Sequence, residues 1–179
     1  MKNSIFVCTL VITAISYAQE MMITKNGKVT FDASVPSFEE VTAKSDVATC
    51  VLNPKTGEIA SLVLMKGFRF KVALMEEHFN ENYIESSKYP KATFKGKIEN
   101  FDVLALNDTA QDYKIKGTLE LHGKSKEITT TASIRKTDGG IEIISDFSIN
   151  TEDYAISIPA VVKNKISNKV DIRSEFTVK

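Results

Sequence analysis

Histidine and cysteine are scarce in this chain, two of each, and neither is grouped. A metal site needs three or four converging ligands, and no cysteine or further histidine lies close to His78 or His122. Catalytic motifs are also missing. The sequence has no Gly-x-Ser-x-Gly elbow, no His-Glu-x-x-His helix and no glycine-rich phosphate loop. The acidic residues that could act as acids or bases alternate with apolar ones, as surface charges do. The expectation is a protein that is not an enzyme and uses no cofactor or metal. Charge of one sign is lacking too: 23 Lys+Arg stand against 23 Asp+Glu, well mixed along the chain. Such a balance lacks the basic footprint of a nucleic-acid or anionic-membrane binder. No internal repeat, linker or low-complexity tract divides the sequence, so one domain is expected.

The one long apolar run is at the start. Lys2 precedes Ile5 to Ile15, and Ser16-Tyr17-Ala18 places small residues on either side of a larger one. This is the pattern of a secretory signal peptide, with a cut expected after Ala18. The run falls short of the roughly 20 residues of a spanning helix. Residues 1–18 are therefore read as a removed leader and 19–179 as the exported domain, periplasmic or secreted. Loss of Lys2 leaves 22 basic against 23 acidic residues. Loss of Cys8 leaves Cys50 alone, which precludes an intramolecular disulfide. Cys50 lies in the alternating stretch Val47 to Leu52 and is read as a half-buried strand residue. Stability must come from the core and the sheet.

What is abundant is alternation. Tyr113, Ile115, Gly117, Leu119 and Leu121 are interleaved with Lys114, Lys116, Thr118 and Glu120, the signature of a strand with one wet face. The same period appears at Ile128 to Arg135, Ile141 to Ile149 and Val170 to Val178. It also appears at Val29 to Val35, Val47 to Leu52, a long stretch Glu58 to Leu74, and Ala92 to Ile98. About eight strands result. Asn53-Pro54-Lys55-Thr56-Gly57, His122-Gly123-Lys124-Ser125 and Thr137-Asp138-Gly139-Gly140 supply tight turns between them. Short hairpins in series predict an antiparallel all-β meander, closed as a barrel or folded as a sandwich. One short helix is predicted over Glu76–Ser87, ended by Lys88-Tyr89-Pro90.

Three segments carry a family resemblance. Met75-Glu76-Glu77-His78-Phe79-Asn80 is followed by Tyr89-Pro90-Lys91-Ala92-Thr93-Phe94-Lys95-Gly96. Gly117 to Lys126, and Phe147 with Asp153-Tyr154-Ala155-Ile156, complete the set. Together they resemble the YceI-like family of periplasmic, lipocalin-like polyisoprenoid-binding proteins, from about Val29 to the C-terminus. Ala155 stands where that family commonly has glycine. The resemblance implies a single antiparallel eight-stranded lipocalin-like barrel around an apolar pocket, with the helix near one barrel end. Its implied partner is an isoprenoid or other long-chain lipid, and no catalytic role.

Ligand contacts are then expected from Phe31, Phe70, Phe94, Leu119, Phe147 and Phe176 on the strands. His78, Phe79 and Tyr83 on the helix, with Tyr154 and Ile156 in the late irregular span, complete the expected set. His78 has two readings, a packing or helix-positioning role under the barrel mouth or a polar contact to a ligand head group. His122 is read as turn chemistry. Small inward positions, Ala33, Ala92, Gly96, Gly117, Thr130, Ala132, Ser145 and Ser174, leave volume for a ligand or else bend the wall. Each buried methylene contributes roughly 0.8 kcal/mol against an association cost of about 4–15 kcal/mol. A long chain therefore suits such a pocket better than a small terpene. A solid barrel acting through its surface, as an envelope interaction or stress-related module, is the other reading.

Overall fold

The computed structural model describes residues 21–179; the expected leader lies outside them. Nine strands form: β1 (Met22–Ser34), β2 (Thr42–Leu52), β3 (Glu58–Leu64), β4 (Arg69–Phe70), β5 (Lys91–Ile98), β6 (Gln111–Leu121), β7 (Lys124–Thr137), β8 (Gly140–Asn150) and β9 (Ile166–Val178). Eight of them run in the order β1-β9-β8-β7-β6-β5-β3-β2, and β2 pairs back onto β1. Every pairing is antiparallel, so the wall is a closed eight-stranded barrel of the expected kind. The two-residue β4 is an annex to Ala43 and Lys44 of β2.

The alternation reads through to the faces. In β6, Ile115, Leu119 and Leu121 are buried while Lys114, Lys116, Thr118 and Glu120 face solvent. The β6–β7 hairpin turns on His122 (φ 51°) and Gly123 (φ 70°), the two positive-φ positions of a type I′ turn. In β2, Asp46 and Val47 together oppose the single residue Lys28, because Gly27 pairs with Ala48 and Val29 with Ser45. This bulge puts both of them outside and returns Ala48, Cys50 and Leu52 to the interior.

Two expectations need correction. The stretch Glu58–Leu74 is not one strand, because β3 stops at Leu64 and a 3₁₀ turn, Met65–Gly67, follows. Met65 and Phe68 are both buried, a spacing of three that no strand can bury on one face. Gly67 permits the close crossing: a Cβ there would lie 3.1 Å from Ser45 Oγ. The helix is displaced as well. It begins at Ala73 (α1, Ala73–His78) and widens into a π-type turn over Phe79–Tyr83, with Ile84 N donating to Phe79 O at 2.9 Å.

The long connections gather at one end of the barrel: residues 35–41, 65–90 and 151–165. The opposite end carries the turns 53–57 and 138–139 and the folded loop 99–110. Two apolar clusters divide the interior accordingly. The lower one packs Leu52, Ile98, Ala132, Ile134 and Val178, with Phe101, Val103 and Leu106 of the loop plugging that end. The upper one includes Met65, Phe68, Leu119, Tyr154 and Val170.

Candidate functional site: an apolar cavity open at one barrel end

The upper half of the barrel is hollow. A cavity of about 400 Å³ lies inside it, walled almost wholly by apolar side chains. That volume falls in the range of small-molecule sites, roughly 300–1,000 Å³. Its floor is made by Ala48, Ile59, Phe94, Ile115, Ile143 and Phe176, which also belong to the lower cluster. Its sides are Phe31, Leu119, Ile128, Phe147, Ile149 and Ile172. Around the mouth stand Glu39, Met75, His78, Phe79, Tyr83, Ile158, Val162 and Lys165.

The mouth is braced by four phenylalanines. Phe31 on β1 has ring centroids 5.2 Å from Phe68, 5.7 Å from Phe70 and 5.4 Å from Phe79. Phe79 also lies 5.8 Å from Phe68 and 5.2 Å from Phe70. Offset and edge-on pairs of this sort contribute about 0.5–1.5 kcal/mol each beyond burial. They fix α1 against the rim. An ion pair between Glu76 and Arg69 (3.0 Å) holds the helix to β4 from outside.

Of the residues expected at the ligand, Phe31, Phe70, His78, Phe79, Tyr83, Phe94, Leu119, Phe147, Ile156 and Phe176 all line the cavity. Tyr154 does not. It is buried in the wall, where the turn Thr151–Tyr154 packs against β7, β8 and β9. The β7–β8 ladder runs only as far as the Thr131–Asp146 pair. Above that rung the two strands separate, and the Tyr154 turn closes the gap, tied to β7 by a Lys126–Asp153 ion pair. Ala155 between them takes a left-handed φ of 55°, which turns the chain so that Ile156 lines the cavity and Tyr154 does not.

The small inward residues divide. Ala33, Ala92, Thr130, Ser145 and Ser174 do border the cavity. Gly96, Gly117 and Ala132 are not in its lining: Ala132 is packed in the lower cluster, and the two glycines are covered by Phe94. Thr130 Oγ and Ser145 Oγ lie 3.0 Å apart, and Ser145 Oγ donates to Thr131 O at 3.3 Å. These hydroxyls cap the last rung where β7 and β8 part.

The two histidines separate cleanly. His78 is the last residue of α1 and is exposed at the mouth, so it is not packed under it. His122 is buried, with Nδ1 2.9 Å from Tyr154 O and Nε2 3.0 Å from Glu85 Oε2, and its ring lies 4.3 Å from that of Tyr89. Beyond shaping a turn, it fastens both mouth connections, 65–90 and 151–165, to the β6–β7 hairpin. No local pattern marks this role, since these partners are 37 and 32 residues away. Burial pushes the Cys50 thiol up to about 12. A thiol that stays protonated and has no solvent path is not a nucleophile. Among the described residues no group of His, Cys, Asp and Glu could hold a metal ion. Nor is any helix among them long and apolar enough to cross a membrane. The arrangement can enclose an elongated apolar molecule and meet its polar end at the rim.

Solved structures share this fold. A polyisoprenoid-binding domain from Saccharophagus degradans, implicated in plant cell wall breakdown, superposes with a TM-score of 0.73 at 18% identity, over 87% of this chain and 95% of that one. Burkholderia cenocepacia BcnA gives 0.68 at 13% identity, over 83% and 94%. The Campylobacter jejuni YCEI protein gives 0.53 at 17% identity, over 100% and 93%. At these identities the likeness is one of fold. A comparison with curated proteins found no match. The model of the YceI-like domain matches residues 12–178, nearly the whole length, and the chain belongs to that family.

Proposed function

We propose that this chain is an exported, non-catalytic carrier or buffer that holds a long-chain amphiphile, an isoprenoid before other lipids. Its leader is residues 1–18 and its working form 19–179, in the periplasm or outside the cell. The observation that carries the reading is the apolar cavity, closed below by Phe94 and Phe176 and open above at His78 and Lys165. The polyisoprenoid-binding domain with the same fold supports the choice of ligand class. The ten expected residues at the cavity are the proposed ligand contacts, with His78, Tyr83 and Lys165 nearest a head group.

Size sharpens the proposal. A water-sized group occupies roughly 30 Å³, so 400 Å³ encloses on the order of thirteen such groups, close to a chain of that many carbons. A fully buried fifteen-carbon chain would gain on the order of 12 kcal/mol gross, against about 4–15 kcal/mol for association. A longer chain must leave its remainder at the mouth. Native mass spectrometry with lipid extraction, on protein purified without detergent, tests this. A retained polyprenyl or acyl adduct is expected. A clean unliganded mass with no uptake of added isoprenoid would overturn the carrier reading and leave a barrel acting through its surface.

A further inference from the structure

The His122 ring is held between two acceptors. Its Nδ1 faces the Tyr154 carbonyl at 2.9 Å and its Nε2 the Glu85 carboxylate at 3.0 Å. A carbonyl and a carboxylate have no hydrogen to give. Both contacts are therefore made together only when both ring nitrogens carry a hydrogen, which is the imidazolium form. A neutral ring carries one, and must turn a lone pair on one of its two partners. The backbone around the ring is constrained as well. Among the described residues, five other than glycine have a positive φ, and three of them meet here: Glu85 (47°), His122 (51°) and Ala155 (55°), the last beside Tyr154. Such residues persist only where their surroundings hold them, and they gather at switches and ligand clamps.

Both partners belong to segments that line the cavity. Ile84 adjoins Glu85, and Ile156 follows Tyr154 by two residues; each borders the cavity. The other charged and titratable groups on the elements that meet here are few. Lys88 Nζ lies 4.0 Å from the second Glu85 oxygen and 4.9 Å above the centre of the Tyr89 ring. Asp153 of the 151–154 turn pairs with Lys126 of β7. Glu120 of β6 accepts from Thr93 Oγ at 3.4 Å, and Lys124 opposes Leu121 at the hairpin end. The two contacts of the ring differ in what can replace them. Tyr154 is 1% exposed, so its carbonyl depends on the ring. The Glu85 side chain is 45% exposed, so water can take the place of the imidazole. A neutral ring thus keeps its hydrogen on Nδ1 and gives up Glu85.

We propose that His122 is a proton-operated latch on the cavity mouth. As imidazolium it fastens residues 84–89 and the 151–154 turn to the β6–β7 hairpin. Loss of its Nε2 hydrogen to solvent releases Glu85 and loosens the segment around Ile84 at the rim. Fastening is complete at the acid end of the range in which imidazole titrates, about pH 5–8, and fades towards the alkaline end. The latch stands apart from the carrier reading; faster release of a bound chain at raised pH rests on that reading.

Amide hydrogen exchange without added ligand tests the latch. Ser86 N donates to Asn80 O, and Lys88 N and Tyr89 N donate to Glu85 O, so these amides report on the fastened segment. Their protection, normalised to intrinsic exchange at each pH and to amides of β6, should be roughly fivefold or more higher at about pH 6 than at about pH 8. Glu85→Gln supplies the decisive contrast. Its amide can accept from a charged ring or donate to the Nε2 of a neutral one, so protection should stay high at both pH values. This variant leaves His78 in place, so any titration of that exposed residue is subtracted. His122→Asn keeps a turn pair, Asn-Gly, that type I′ hairpins favour, and should give low protection at both. Glu85→Gln makes the same test with the histidine retained, should His122→Asn fail to fold. Equal protection of the unaltered protein at both pH values, or an undiminished pH effect in Glu85→Gln, would overturn the proposal. With an isoprenoid alcohol as probe, the expected exchange pattern without uptake would sink the carrier alone. Uptake with pH-independent exchange would sink the latch alone.

Discussion

Gly96 and Gly117 face each other across the β5–β6 ladder, and the Phe94 ring lies over both. A Cβ on Gly96 would come within 2.7 Å of Phe94 Cζ, and one on Gly117 within 2.6 Å. Gly27 is covered in the same way by Phe176, whose ring would lie 2.3 Å from an added Cβ. Glycines in the wall thus seat the floor aromatics, an arrangement known to offset the weakness of glycine in strands. Gly117→Ala is expected to cost about 1–3 kcal/mol by overpacking, seen as a lower urea midpoint. The added carbon also meets Lys95 O at 2.4 Å, so the ring cannot relieve the clash by moving alone. An unchanged midpoint would show that the ring does not rest there.

The His122 fastening should be measurable as a coupling. Removing the buried imidazole leaves Tyr154 O without its partner, and His122→Ala should lose about 1–3 kcal/mol. Glu85 is 45% exposed at its side chain, so its part is smaller. A double-mutant cycle with Glu85→Ala should give a coupling of about 0.5–1 kcal/mol. Strict additivity would mean that the 3.0 Å contact does not hold the mouth connections.

Cys50 offers a test of the lower core. Its thiol should resist a disulfide reagent at pH 8 in the native state and react fully in denaturant. The alkaline limb of stability should also carry its mark. The folded value of about 12 stands above the ordinary thiol value of 9.0, so the contribution is complete below pH 9 and fades as pH rises towards 12. The loss is on the order of 3–4 kcal/mol. Cys50→Val should lack that component when stability is followed by denaturant titration across this window.

The hollow half invites filling. Ser174 borders the cavity and pairs with Ser145 and Val29. Ser174→Phe should reduce isoprenoid uptake at least tenfold, about 1.4 kcal/mol in binding, while thermal unfolding stays cooperative. Full uptake by a folded variant would place the ligand elsewhere.

Ala155 occupies the left-handed region at φ 55°, where a side chain costs about 1–2 kcal/mol. Ala155→Gly gives back part of this in unfolded-chain entropy. A net gain of about 0.5–1 kcal/mol is expected in chemical denaturation. A loss would show that the Ala155 methyl packs in the wall.

Much of the wall was legible because period two needs only neighbours in sequence. Tyr113 to Leu121 declares its buried face unaided, and His122-Gly123 declares its turn. The start of α1 was not legible, since Ala73, Leu74 and Met75 continue an apolar stretch that strand and helix share. Nor were the roles of Gly96 and Gly117, which depend on a ring two residues away folding back over a neighbouring strand. Phe31, Phe94, Leu119, Phe147 and Phe176 border the cavity because they fall on the inward face of alternating strands. Tyr154 was not separable from Ile156, because the turn at Ala155 (φ 55°) that parts them lies in a span with no period to read. Lys165 and Met75 were missed at the mouth, as a lysine in an irregular span and a methionine on a helix carry no period.

The plugged and hollow halves divide what can change from what cannot. Phe94 and Phe176 work as a ruler, since the height at which they cross the barrel sets how much chain can be enclosed. Side chains above that line can change without loosening the packed layer beneath, which keeps the barrel folded on its own account. If the proposed carrier role holds, the cargo can therefore change at little risk to the scaffold. Moving the line itself requires an aromatic and its glycine seat to change together.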